Sequence, residues 1–294
     1  MIDGRVRCME RKKIVKPVSE QEFYEAISKF ETQFLNTAYK EHLFSLLGEQ
    51  SKRNIVKGKT LCSKAYRNFI KNQRKEQRKL AKVGNPISTM DSVQLITSDI
   101  KDVIHEIPEN SIDCIITDPP YPREYLHLYG ELGILGKRVL KNGGLLVAMV
   151  GQSYVPEILH LLSKNLEYHW MCAYLTPGGQ SVQLWQRRIN TFWKPLLIFR
   201  KGKYDGDWFG DVCKSNTNDN DKRFHEWGQS VSGMLDIVNR FTYPNWIILD
   251  PFCGAGTTGV ACALTGRRFI GIDISSECIY KTKMRITEVI KNER

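Results

Sequence analysis

Apolar positions along this chain change their period near residue 90. Before it, Phe23, Ile27, Phe30, Phe34, Leu35 and Ala38 recur mostly three and four residues apart within 19–50. That spacing predicts one long helix or two shorter ones. Ser19 and Glu22 have capping-box spacing at its start. A second helical stretch, 60–82, has only a thin apolar side (Leu61, Ala65, Phe69) and ends in the basic run KNQRKEQRKLAK. VGNP at 83–86 breaks the pattern. The expected organisation is a basic helical extension over 1–86 and a second domain over 87–294.

Beyond residue 90, short apolar runs alternate with helical patterns. VQLITSD, IDCIITD, GGLLVAMV, YHWMCAYL, KPLLIFRKG, WIILD and RFIGIDI read as strands. Helices are expected over 124–141, at VPEILHLLSKN, at about 229–241, at TTGVACALTG and from Ser275. This alternation predicts an α/β fold: a mostly parallel sheet with helices on both faces.

Composition narrows the function. The 294 residues suffice for one large α/β domain with an appendage, or for two small domains. No apolar run approaches the ~18 residues of a membrane-spanning helix. The first residues, MIDGRVRCMERKKIVK, lack the apolar core of a signal peptide, so a cytoplasmic, non-membrane protein is expected. The eight cysteines are scattered without CxxC spacing, and no metal is expected. The net charge of +11 lies wholly within residues 1–86, and the remainder is balanced. Such a block suits a polyanion, most simply nucleic acid, with Arg74, Lys75, Arg78 and Lys79 as contacts. A solvated helical surface would carry the same charge.

Two segments carry chemistry. TDPPYP, 117–122, follows the apolar run Cys114-Ile115-Ile116. Proline cannot donate a ladder hydrogen bond, so the strand stops, leaving an acid and an aromatic ring on a stiff turn. ILDPFCGAGTTGVACALTGRRFIGIDIS, 248–275, ends a strand at Asp250 and runs through Gly254-x-Gly256 into a helix. Its next strand ends at Asp273, 19 residues after Gly254, where a ribose would find an acceptor for its hydroxyls. The turn also fits GxGxxG. The acid and proline ahead of the glycines suit a cationic ligand end, such as the amino group of S-adenosylmethionine, and would repel a pyrophosphate.

DPPY together with DPFCGAGTT and FIGIDI resembles the DNA amino-methyltransferases, which modify the exocyclic nitrogen of adenine or cytosine. The order of the motifs is similar to their circularly permuted β group. The likeness extends over about 91–290. It implies a Rossmann-like methyltransferase fold, S-adenosylmethionine as cofactor and double-stranded DNA as partner. By that resemblance, Asp118 and the carbonyl of Pro119 accept hydrogen bonds from the target amine, and Pro120 completes the turn. Tyr121 stacks on the base once it has left the duplex. Asp250, Phe252, Gly254 and Gly256 line the methionine and ribose side. Thr257 and Thr258 cap the helix and reach the cofactor carboxylate. Asp273 holds the ribose hydroxyls. Asp99 meets the adenine end of the cofactor, and is equally a helix-cap residue type. Gln229-Ser230 stands where many members carry Lys-Pro. The Gln229 amide either bonds the cofactor carboxylate or starts a helix.

In the β group, target recognition lies between the two motifs, here about 177–227. Gln183, Trp185, Gln186, Arg187 and Arg188 suit base-edge and phosphate contacts there. The alternative is a sheet-edge loop with a buried Trp. Asp118 favours adenine N6, since cytosine-N4 members more often carry Ser at that place. The other readings are a cytosine-N4 enzyme, an RNA or protein amide methyltransferase, and an inactive DNA-binding relic. Nothing in the sequence specifies a recognition site, an oligomeric state or a companion nuclease.

Overall fold

In the computed structural model, the apolar runs beyond residue 90 become neighbours in one eight-stranded sheet. The structure describes residues 17–28, 44–45, 47–56, 82, 84–178, 182–217 and 230–292. The strands are β1 (Val93–Thr97), β2 (Ile112–Thr117), β3 (Leu140–Met149), β4 (Glu167–Leu175), β7 (Trp193–Arg200), β8 (Val212–Lys214), β9 (Ile247–Asp250) and β10 (Arg268–Asp273). Their order is β1-β10-β9-β2-β3-β7-β4-β8. Only β7 runs against the others. β5 (Val182–Leu184) and β6 (Ile189–Thr191) form a separate antiparallel ribbon. The short strands β5, β6 and β8 go beyond the strands expected from the sequence.

The near-continuous apolar texture of β2 follows from cover on both faces. Ile115 points into one core with α3 (Ile100–Val103), α4 (His127–Val139) and α5 (Val155–Ser163). Cys114 and Ile116 point into the other, with α6 (Val231–Phe241), α7 (Thr257–Leu264) and α8 (Ser276–Asn292). One residue of offset therefore exchanges the two cores, as the period of 2 requires.

Although β9 and β10 come last in the chain, they insert between β1 and β2. The connection after β9 leaves toward the α7 face, and the connection after β2 leaves toward the α4 face. Where neighbouring parallel strands send their chains to opposite faces, their carboxyl ends open a crevice. That crevice separates the TDPPYP turn from the glycine turn.

The chain divides into two compact units, Met1–Arg78 and Lys79–Arg294. The division falls ahead of the boundary expected at residue 86. Gly84 to Ile87 belong with the second unit: Ile87 N–H donates to Ala263 O at 2.9 Å. A side chain on Gly84 would meet Thr265 O at 2.0 Å. In the first unit, α1 (Glu20–Ser28) and α2 (Glu49–Val56) bury Val18, Phe23, Ala26, Leu47 and Ile55 together. The Ser19–Glu22 capping box forms reciprocally, with N–H donations of 3.0 and 3.3 Å. Nearly all of the second expected helix, 60–82, lies outside the described residues. Among the described residues, no helix is long and apolar enough to cross a membrane.

Candidate active site

β2 delivers its motif through a hydrogen bond across the sheet. Thr117, its last residue, donates from Oγ1 to Asp250 Oδ1 at 2.7 Å. Asp250 is the last residue of β9, so the two motif-bearing strand ends meet directly. Asp250 is 3% exposed. It also accepts from Thr258 Oγ1 at 2.7 Å and from Phe252 N–H at 3.2 Å. Burial raises its pKa from the ordinary 3.8 to about 6, against the downward pull of those three donors. The Asp118 charge adds to the rise.

This corrects two of the sequence expectations. Asp250 does not present an open carboxylate to a ligand, since it is buried and its hydrogen bonds come from the fold itself. Thr258 turns inward to Asp250 instead of outward. The reason lies in the turn. Gly256, at φ 78, precedes α7 as its N-cap, and both threonines that follow are buried. Thr257 is approached by Arg285, whose Nη1 lies 3.4 Å from its hydroxyl.

The glycine turn packs onto β10. Gly254 N–H donates to Asp273 Oδ2 at 2.9 Å, and Ser275 N–H donates to Oδ1 at 2.9 Å. The Asp273 carboxylate is thus oriented by two backbone donors, and each oxygen keeps acceptor capacity. At Gly254, φ is +50, and a side chain would meet nothing within 4 Å. Open space beside an oriented carboxylate fits a nucleoside group with two vicinal hydroxyls. One strand further on, Ser98 N–H donates to Asp273 O at 3.0 Å. Asp99 follows as the N-cap of α3, accepting from Lys101 N–H at 2.9 Å. Asp99, Asp273, Gly254 and Asp118 therefore all lie at the carboxyl ends of adjacent strands. Phe252, half-buried, packs against the core on the α4 face.

Pro119 is buried, and Asp118, Pro120 and Tyr121 are half-buried. The Tyr121 hydroxyl donates to Asp118 Oδ1. Burial first, and then the Asp118 charge, hold the Tyr121 phenol well above its ordinary value. Three residues that sequence reasoning missed surround this turn. Gly151, just after β3, has no side chain, and a Cβ there would lie 3.2 Å from Tyr121 Cβ and 3.3 Å from its Cγ. The Lys194 ammonium stands 5.6 Å from the centre of the Tyr121 ring. Tyr129, on α4, is buried, and its hydroxyl has no hydrogen-bond partner among the described residues. Burial and then the Asp118 charge raise the Tyr129 phenol as well. A glycine placed directly after a core strand was the one local signal for Gly151.

Gln183, Arg187 and Arg188 lie on the β5–β6 ribbon and its tip, all exposed. Trp185 is 80% exposed, so the alternative of a loop around a buried Trp does not hold. Arg74, Lys75, Arg78, Lys79 and Gln229 lie outside the described residues.

The profile of a DNA methylase family, N6_N4_Mtase, matches residues 112–284, which span both motifs. The chain belongs to this DNA methylase family. It is accordingly an S-adenosylmethionine-dependent DNA methyltransferase of the class that modifies adenine N6 or cytosine N4. The methyltransferase is 31% identical over 252 residues to the Type II methyltransferase M.HinfI of Haemophilus influenzae, a match covering 67% of this chain and 69% of that one. Its fold is similar to that of M1.HpyAVI in complex with S-adenosylmethionine: TM-score 0.55, 23% identity, covering 66% of this chain and 98% of that one. It is also similar to that of the cytosine-N4-specific PvuII DNA methyltransferase: TM-score 0.58, 16% identity, covering 72% and 96%.

Proposed function

We propose that this methyltransferase methylates N6 of adenine in double-stranded DNA, with the target base extruded from the duplex beside Asp118 and Tyr121. The observation that carries this reading is the Thr117–Asp250 hydrogen bond, which sets the TDPPYP turn against the glycine turn. Support for adenine is the carboxylate at 118, where cytosine-modifying relatives of this type more often have a hydroxyl.

S-Adenosylmethionine supplies an electrophilic methyl on a sulfonium. The residues fitted to hold it are Asp273, Gly254, Gly256 and Phe252, with Asp99 at the far end. Asp250 acts as a positioning residue behind the glycine turn. Asp118 accepts a hydrogen bond from the target amine, taking that amine in exchange for the Tyr121 hydroxyl it now holds. With the carbonyl of Pro119 as second acceptor, the amine's lone pair is aimed toward the cofactor side. Rate enhancement then comes from orientation and from preorganised acceptors, with no covalent intermediate. Tyr121, released from Asp118, stacks on the base, a contact worth ~1–3 kcal/mol. Ribbon residues Gln183, Arg187 and Arg188 contact the duplex, and Arg74, Lys75, Arg78 and Lys79 add phosphate contacts.

Tritiated methyl transfer to unmethylated genomic DNA, followed by nucleoside analysis, tests this. Label in N6-methyladenine, abolished by Asp118→Ala, is the expected outcome. Label in N4-methylcytosine would correct the base. Label in RNA or protein alone would overturn the reading.

A further inference from the structure

The β5–β6 ribbon carries a feature that amine methylation leaves unused. Its register pairs Val182 with Thr191, Gln183 with Asn190 and Leu184 with Ile189. Alternation therefore gathers Val182, Leu184 and Ile189 on one face and the two amides on the other. At the tip, Trp185 opens a turn that Arg188 closes in the left-handed region at φ 54. Trp185 is 80% exposed, and Phe192, at the base of the ribbon, is 70% exposed. Large aromatic surface held in water at the tip of a ribbon marks a contact site.

The tip is fixed relative to the catalytic turn. Arg187 Nη2 donates to Ser153 O at 3.0 Å, and Gln152 Nε2 donates to Trp193 O at 2.6 Å. Gln152 and Ser153 directly follow Gly151, the residue against which the Tyr121 ring packs. One short loop thus touches both the ring that would receive an extruded base and Arg187, two residues from the indole at the ribbon tip. The charge around the ribbon selects the occupant. Between Val182 and Lys194 no acidic residue occurs, whereas Arg187 and Arg188 stand at the tip and Lys194 near the start of β7. A second copy of this surface would meet it with like charge, and duplex DNA meets it with opposite charge.

We propose that Trp185 is a wedge, which enters the base stack of duplex DNA at the place the target base leaves. This rests on the base-extrusion reading above. An apolar side chain inserted between base steps offsets part of the unstacking that extrusion requires. The indole and Tyr121 would then act as a pair, one filling the vacancy and the other receiving the base.

The test uses the full chain. Sequencing DNA methylated by the wild type fixes the target site, and two synthetic duplexes then carry it. In one the target base is paired, and in the other it faces an abasic position, so that extrusion is already easy. Trp185→Ala is expected to lose about 10–100-fold in kcat/KM on the paired duplex and to stay within roughly threefold of wild type on the abasic one. Trp185→Phe should retain most activity on both. An equal loss on both duplexes, or no loss on the paired one, overturns the wedge while leaving methyl transfer intact. A wild type that labels no DNA overturns the function and the wedge with it.

Discussion

Thr117 and Asp250, 133 residues apart in the chain, are joined by a 2.7 Å hydrogen bond from hydroxyl to buried carboxylate. Asp250 in turn accepts from Thr258 at the start of α7. A single carboxylate therefore ties the strand that ends in the TDPPYP turn to the helix that follows the glycine turn. Its acceptors face inward, so its contribution is to geometry and stability.

Removing one donor from that carboxylate should be costly. Thr117→Val keeps the β-branched shape suited to a strand but leaves Asp250 with one partner fewer. Urea unfolding at neutral pH should show a loss of ~1–3 kcal/mol, with Thr117→Ser closer to wild type. An unchanged midpoint would show that the bond carries no weight.

The raised pKa of Asp250 gives a pH signature. Its value in the folded state, about 6, lies above the ordinary 3.8. Such a group contributes its full stability below pH ~4 and loses it as the pH rises through 6. Asp250→Asn removes the titration. The stability of wild type minus that of the variant should fall by ~3 kcal/mol across that window and be level on either side. A difference that is flat between pH 4 and 6 would contradict the burial argument.

The two glycines of the turn should respond differently to alanine. At Gly256, φ is 78 and a Cβ would lie 2.5 Å from Thr282 Cγ2. Gly256→Ala should destabilise the fold by about 2–4 kcal/mol in thermal unfolding. Gly254→Ala faces open space and should cost only the ~1–2 kcal/mol of a left-handed backbone. Its larger effect should be on cofactor affinity by calorimetry, because the new methyl occupies the room left beside Asp273.

Much of this arrangement was legible along the chain. IDCIITD, WIILD and RFIGIDI announced β2, β9 and β10, and each carried its acid, Asp118, Asp250 or Asp273, at or next to its end. The order of strands was not legible, because no local pattern says that β9 and β10 insert between β1 and β2. For the same reason Thr117 stood in plain view in TDPPYP while its partner was 133 residues away. β5, β6 and β8 are three residues each, too short for a period of 2 to stand out. Helix α2 has little apolar content. Glu49 accepts from Val18 N–H at 3.1 Å, and Lys52 lies over the Phe44 ring at 3.7 Å, both tertiary contacts.

Gly151→Val tests the seat of Tyr121. The backbone at Gly151 has φ −73, so any residue fits conformationally. The new side chain instead presses on the Tyr121 ring. Methyl transfer should fall ~10-fold or more, with cofactor affinity unchanged. Normal turnover would show that the ring position is not set from this side.

Replacing Arg74, Lys75, Arg78 and Lys79 together by alanine tests the basic block. The slope of log K against log salt for DNA binding should become shallower by about 3–4 if all four neutralise phosphates. An unchanged slope would assign the block to solubility.

The most direct measurement is a crystal structure of the complex with S-adenosylhomocysteine. The sulfur should lie between the Gly254 turn and Asp118, within roughly 8 Å of the Asp118 carboxylate, leaving room for an amine in attacking range. A sulfur directed away from Asp118, or a product bound at another edge of the sheet, would contradict the account.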